Sequence, residues 1–493
     1  MNTIRNAASG GSEKMHPDEF DPDAQDWFIE QCAHERALRE GSGSVTAFSP
    51  VVEALRPAHG WPPGRAGAIA RFICASSYSP IPEVATTATI ALLAGVCGRA
   101  YRTYTGIDTA LYLILVAKSG VGKETVHDVL PRLLEMAERP MASRFVRSTD
   151  FASGEALHKE MLREPGFLCL AGEFGKKLQR MANPHDTPMQ NLRTVMLKAF
   201  GKRYMEGKAY SNADYSLDGV EWPALSFLGE TVPSTLYECL TPDMMADGFL
   251  SRFLICSYLG NRPPPNRERS AQLAPDDLAH WQALVDHAIR YQPPFNMPDC
   301  MTVEPNSDAR ERLERFELDC IESLNATDDE SERQVWTRAH LKALKVASLL
   351  AVADHYLNPV IRLEHVVWAV IMVRQDIETF RSRKQSGDIG TDDDARERKL
   401  VAFMADYRLK PPPASYKVPA GMQESCIVPR SYLQIRARSL PAFTNHKLGA
   451  KRALEDAIAS CIANGYVMEV KGDKLIEQYG FFGKAYRILR LPT

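Results

Sequence analysis

The sequence predicts an α/β fold, a parallel sheet with crossover helices, flanked by helical segments and followed by a small mixed unit. Three observations predict it. Four short apolar runs, "LYLILV", "GFLCLAG", "PALSFLGE" and "RFLICSYL", lie between residues 110 and 260, each bounded by glycine, proline or charge, with helical patterns between them. On either side of that region apolar residues recur at helical spacing instead. A glycine-rich turn, "AKSGVGKE", joins the first run to a helical pattern.

Taken in order, residues 1–47 are polar and small, with one short charged helix ("PDAQDWFIEQCAHERALRE") and a flexible "GSGS" joint. Residues 48–108 form an N-terminal helical collar, carried by "GAIARFICASSY" and "EVATTATIALLAGVCG". The sheet core occupies 109–262, and "NRPPPNRERS" then breaks the chain. Residues 272–384 are helical, with "TRAHLKALKVASLLAVADHYL" and "LEHVVWAVIMVRQDIETFRSR" as the strongest stretches, and make a helical lid. After the linker "QSGDIGTDDD", residues 395–493 read as helices followed by two strand-like runs, "YVMEV" and "KAYRIL". That is the layout of a winged-helix domain.

Composition sets limits. The chain has 493 residues, 45% hydrophobic and 25% charged, which suits two or three globular domains. A formal net charge of -3 excludes a polycation, so any nucleic-acid site must be a local patch. The 10 cysteines include no Cys-x-x-Cys pair and no Cys/His cluster with zinc spacing, as expected of a reduced chain. No secretory leader or membrane-length apolar run is visible, and a cytoplasmic protein with no membrane partner is expected.

The turn carries the chemistry. A phosphate-binding loop needs small residues so that backbone N–H groups converge on an anion, a lysine for the outer phosphates, and a helix N-terminus behind them. Lys118, Ser119, Gly120, Val121, Gly122, Lys123, Glu124 and Thr125 supply this sequence, between a strand and the helical "ETVHDVLPRLLEMAE". Two positions depart from the usual pattern: Ala117 stands for glycine and Glu124 for the Ser/Thr whose hydroxyl holds magnesium. Thr125 is one helical step away, a rotation of roughly 100°, and does not simply take over. A carboxylate binds magnesium itself, so ATP and Mg2+ are the expected ligands, with Glu124 and Glu173 as the metal-facing carboxylates. Glu173 ends the second run, where a base that activates water belongs. Its neighbour Gly172 replaces the aspartate that would support the metal. Thr231, ending the third run, is the candidate for orienting the attacking water. The plainer alternative is a glycine turn in an α/β domain that takes no nucleotide.

DNA contacts are expected in two places. In "LKAFGKRYMEGKAYSNADYSLDG", Lys198, Lys202, Arg203 and Lys208 alternate with Phe200, Tyr204 and Tyr210, the mixture that grips a phosphate backbone and stacks on bases. From Pro419 to Thr493 there are 11 Lys+Arg and 6 Asp+Glu, +5, which leaves -3 - 5 = -8 for the remainder. There "GAKRALEDAIASCIANG" would be the recognition helix, with Lys447, Lys451 and Arg452 near its start and Lys471, Lys474 and Lys484 on or near the wing. An amphipathic helix with a solvated loop, and a winged helix used for protein contacts, are the respective alternatives.

The order of loop, strand-end glutamate, polar third strand, arginine and helical lid resembles that of the AAA+ ring ATPases. The Gly-Lys-Glu loop resembles that of sigma-54 transcription activators, which are working ATPases. Residues from about 48 to 383 look like a P-loop family of phage, plasmid and other mobile-element proteins, associated with replicative helicases and primase-helicases. The shared stretches are "IPEVATTATIALLAGVCGRAY", "LYLILVAKSGVGKE", "AGEFGKKL", "FLGETVPSTL" and "DGFLSRFLI". The "SRF" around Arg252 is similar to the arginine-finger stretch of minichromosome-maintenance helicases, which also end in a winged helix. The resemblance implies that Arg252 reaches a neighbour's γ-phosphate and that Arg338, in the lid, senses the nucleotide. It implies an ATP-dependent DNA helicase or translocase acting as a ring-shaped homo-oligomer, a hexamer, with single-stranded DNA in its pore. A primase or initiator would be a separate protein, since no primase motif is recognisable. Two alternatives stand beside it: a nucleotide-switched replication initiator or helicase loader, and a non-hydrolysing, nucleotide-stabilised DNA-binding scaffold.

Overall fold

The computed structural model describes residues 55–493 apart from 241–243, 246, 270, 298, 387–388, 390–392, 439, 445, 447 and 493. The 1–47 segment and Lys447 lie outside the described residues.

Helices α1 (Gly64–Ser76) and α2 (Pro82–Cys97) come first, then the short strand β1 (Tyr101–Thr103). Proline in the first turn starts α2 without wasting a donor. Every residue of α2 except Glu83 is buried. The reason is its place: it lies across the sheet, against strands of the core, so the helix expected as part of a collar forms one layer of the sheet domain.

The core follows as β2 (Tyr112–Ala117), α3 (Thr125–Glu135), β3 (Val146–Arg147), α4 (Gly154–Arg163), β4 (Gly166–Ala171), α5 (Phe174–Ala182), α6 (Thr187–Ala199), β5 (Tyr204–Met205), β6 (Val220–Glu221), β7 (Ala224–Thr231), α7 (Pro233–Cys239) and β8 (Phe253–Tyr258). Five strands pair in the order β3-β4-β7-β2-β8, all parallel. The four apolar runs are β2, β4, β7 and β8. Strands β2, β4 and β7 are buried along their whole length, which explains continuous rather than alternating apolar patterns. The edge strand β3 is two residues long and had no pattern to read. Tyr112 anchors the layer below the sheet: its ring lies 5.0 Å from Phe200 and 5.2 Å from Phe253, and its hydroxyl donates to the Met196 carbonyl at 2.9 Å.

Next come α8 (Pro275–Ile289), β9 (Met301–Pro305), α9 (Ser307–Asn325), α10 (Glu330–Thr337), α11 (Ala339–Asp354), β10 (Val360–Ile361) and α12 (Leu363–Gln385). The expectation of helices throughout 272–384 is corrected by β9 and β10. With β1 they form a parallel sheet in the order β1-β9-β10; β9 needs a partner from the far side of the core, which no local pattern reveals. Helix α11 packs against α1, α2 and α12 in the same hydrophobic core as the sheet. Two buried ion pairs fix it: Lys345 Nζ lies 3.1 Å from Asp108 Oδ1, and Lys342 Nζ lies 2.9 Å from Asp376 Oδ2.

The C-terminal unit has its own core around Leu400, Tyr407, Leu433, Leu454 and Ile458. It runs α13 (Asp393–Leu409), β11 (Ile427–Pro429), α14 (Arg430–Ala437), α15 (Pro441–Thr444), α16 (Ala450–Ala463), β12 (Val467–Glu469), α17 (Gly472–Tyr479) and β13 (Ala485–Ile488). Its antiparallel sheet has the order β11-β13-β12. Both strand-like runs are strands; β11 and α17 are additions. Lys471 and Lys474, expected on or near a wing, belong to the N-cap and body of α17. No described helix is long and apolar enough to cross a membrane.

Candidate functional site

The loop 118–124 leaves the C-terminal end of β2, a buried interior strand, and enters α3. Gly120 and Gly122 have φ of +73° and +107°, a region that L side chains avoid. A Cβ on Gly122 would lie 2.4 Å from that of Ser79, so the loop also packs too closely for a side chain there. Ala117 is the last residue of β2 and needs no such freedom, which is why alanine serves. Lys118, Ser119 and Gly120 are exposed and Val121 is buried. Lys123 Nζ donates to the Ala117 carbonyl at 3.4 Å, lying back over the loop. The Thr125 hydroxyl donates to the Gly122 carbonyl at 3.0 Å, so it is engaged in the first turn. Glu124 is exposed and makes no capping bond. Exposed loop amides, a helix N-terminus and a lysine make an anion site.

Parallel pairing sets β7 between β2 and β4, with Val116 opposite Thr231 and Ala171 opposite Gly229. Loop, Glu173 and Thr231 therefore share one edge of the sheet. Glu173 is exposed, has φ of +50°, and pairs with Lys176 at 2.6 Å. That hydrogen bond, together with the Lys176 charge, holds its carboxyl below the usual range, and Lys123 adds in the same direction. Thr231 is buried, and its hydroxyl donates to the Val232 carbonyl at 3.4 Å.

The sequence reading missed a pair at this edge. Glu230, only 4% exposed, places Oε1 3.0 Å from Nε2 of His127 in the first turn of α3. The contact is close but poorly aligned, and Oε1 accepts no hydrogen bond. Hydrogen-bond-range contact with Glu230 and its charge raise the His127 imidazole above its ordinary value, with Asp128 and Glu124 contributing. An acidic residue ending a wholly buried strand was the available signal. Among the described residues no group of three or more His, Cys, Asp or Glu stands ready for a metal. Magnesium would come here with the phosphates and its own waters, with Glu124 and Glu173 as the nearest exposed carboxylates.

The arginines lie elsewhere. Phe253 pairs with Tyr112 and Tyr258 with Ala117, so Arg252, just before β8, sits at the opposite edge from the loop, roughly 20–23 Å away along the strand. Arg252 and Arg338 both face the Phe200 ring, at 5.9 and 5.8 Å, with Lys345 at 4.4 Å. Arg338, expected to sense the nucleotide, is thus beside Arg252 and away from its own chain's loop. Burial and the adjacent Arg252 charge push Arg338 down to about 10. Burial also lowers Arg252, whose Nη1 donates to the Gly248 carbonyl at 2.5 Å while Nε has no partner.

The expected DNA stretch is divided. Lys198 ends α6, and Phe200 is buried in the aromatic layer, so this ring is not free to stack on a base. Beyond it, β5 and β6 form an antiparallel ribbon inserted before β7, exposing Tyr204, Tyr210 and Tyr215. Lys198 pairs with Glu206 at 3.3 Å, and Lys208 with Glu155 at 2.5 Å. Arg203 stands 4.7 Å from the Trp222 ring, which Arg102 also covers at 3.3 Å. Lys202 is exposed. On the C-terminal unit, Lys451 is exposed, Arg452 pairs with Asp456 at 3.0 Å, and Lys484 with Glu469 at 3.4 Å.

No protein-family profile and no curated protein matches the chain. Among solved structures, it is similar to a full-length MCM homolog from Methanopyrus kandleri, with 15% identity and a TM-score of 0.34. The similarity covers 73% of this chain and 62% of that one, so the chain spans about three fifths of that protein's length.

Proposed function

We propose that the chain is an ATP-driven DNA helicase or translocase of the mobile-element type, working as a ring of identical subunits with a nucleotide at each junction. One observation carries the reading. The anion-binding loop and the arginine pair occupy opposite edges of one parallel sheet. A head-to-tail neighbour would bring Arg252 and Arg338 to the phosphates held by Lys123 and the loop amides. ATP would sit on residues 118–125. Glu173 would take the proton of the attacking water, and Thr231 would help place that water. Magnesium, when bound, would neutralise charge on the outer phosphates. The exposed tyrosines of the β5–β6 ribbon, with Lys202, would face single-stranded DNA in a central pore, and the C-terminal unit would act as a winged helix on DNA.

The gap at Gly172 favours one other reading, a nucleotide-stabilised scaffold that does not hydrolyse. An initiator or loader would hydrolyse without unwinding. ATP turnover measured with and without single-stranded DNA, beside Lys123→Ala, separates the scaffold from the two hydrolysing readings, and processive strand unwinding separates the motor from both. DNA-stimulated turnover that the variant loses, accompanied by unwinding, supports the motor. ATP bound but never turned over would replace it with the scaffold.

A further inference from the structure

Gly172 leaves the magnesium site without the acid that usually ends this strand, and the neighbouring strand supplies another. Glu230 on β7 lies one residue beyond the level of Ala171, next to the missing side chain. His127 marks the same spot from the other side: a Cβ on Gly172 would lie 3.9 Å from its Nε2. His127 follows Glu124 by three residues and so shares its face of α3, one turn deeper. The space beside Gly172 is therefore bounded by the Glu230–His127 pair.

The pair is more than a surplus contact. Glu230 is 4% exposed, and its Oε1 lies 3.0 Å from His127 Nε2 in a contact too poorly aligned to count as a hydrogen bond. A buried carboxylate held this loosely keeps capacity to accept from a further donor. Glu173 does not fill this role, since it is exposed and held by Lys176 at 2.6 Å.

We propose that Glu230, held in place by His127, is the second metal-facing carboxylate of the nucleotide site, replacing from β7 the acid that Gly172 cannot provide. The inference rests on the nucleotide reading. Its chemistry is that of an outer-shell group: the carboxylate accepts hydrogen bonds from the ion's waters and contributes negative charge beside it. Gly172 then need not mark a dead site, because the charge has moved to the adjacent strand.

The test is binding of a fluorescent ATP analogue with and without magnesium chloride. The wild-type chain is expected to bind more tightly with the metal. Glu230→Gln is expected to keep the metal-free affinity and to lose on the order of tenfold or more of the magnesium gain. Restoring an acid with Gly172→Asp on the Glu230→Gln background is expected to recover part of it, since a side chain at 172 has room. Should Glu230→Gln not fold, Glu230→Asp withdraws the same charge by one methylene, and a smaller loss in the same direction is expected. A Glu230→Gln chain that unfolds at lower temperature yet keeps the full magnesium gain would overturn the inference and leave a structural ion pair. A wild-type chain that binds no analogue would remove the nucleotide reading, and this inference with it.

Discussion

The two edges of the sheet are built in opposite ways. At the loop edge the key groups are exposed or lightly held: Glu124, Glu173 and residues 118–120 are exposed. At the arginine edge they are half-buried: Arg252 and Arg338 lie against a buried phenylalanine, backed by the buried Lys345–Asp108 pair. The first edge offers a loop, a lysine and a helix N-terminus to an anion. The second concentrates cations that burial makes costly and, among the described residues, gives neither arginine a carboxylate partner. Phosphate-binding groups gather at one edge and the Arg252–Arg338 pair at the other, which is why the chain is read as carrying two halves of one site facing opposite ways. Substitutions at the exposed edge should then cost activity, and those at the buried edge should cost stability as well.

The largest effect is expected from Arg252→Ala. Turnover should fall on the order of 10³-fold, while binding of ATP to the loop stays near wild type; steady-state hydrolysis and analogue binding measure the two. Glu173→Gln comes next. It should lose roughly 10²-fold or more in turnover, yet leave the urea unfolding midpoint near wild type, because the residue is exposed. Asp108→Ala should show the converse. Lys345 would be left buried without its counter-charge, at a cost of about 3–5 kcal/mol by urea unfolding, and the arginine edge would loosen with it.

The smallest effect is expected from His59, which packs on α12. His59 meets the Trp368 ring edge-on at 5.1 Å and bonds Gln375 at 3.0 Å, and burial pushes its imidazole down to about 4. The unfolded chain takes up a proton near the ordinary histidine value and the folded chain does not until about 4. Stability should therefore fall as pH drops from about 6.5 towards 4, by at most ~1.4 kcal/mol per pH unit. His59→Gln should flatten that slope in urea titrations at several pH values.

The sequence was most legible where one element explains itself. The runs of β2, β4, β7 and β8 are apolar because both faces are covered, and the loop is readable because Gly120 and Gly122 are local necessities. What failed to show depends on order in the sheet. Glu230 and His127 meet only because β7 enters between β2 and β4, which no spacing along the chain encodes. The strand β9 exists because β1 is there to pair with it. Lys208 reads as a free cation in sequence and is tied to Glu155 in space. Arg252 and Arg338 could each be picked out, but their meeting on Phe200 needed the packing of α10 and α11 over the aromatic layer.

The central claim is that the two edges complete one another between subunits. Lys123→Ala and Arg252→Ala chains, each inactive alone, should be co-expressed in equal amounts and assayed for ATP hydrolysis. A wild-type loop would then meet a wild-type arginine at about a quarter of head-to-tail junctions, and turnover should return towards that fraction of the wild-type rate. A co-assembled mixture as inactive as either variant alone would contradict the account.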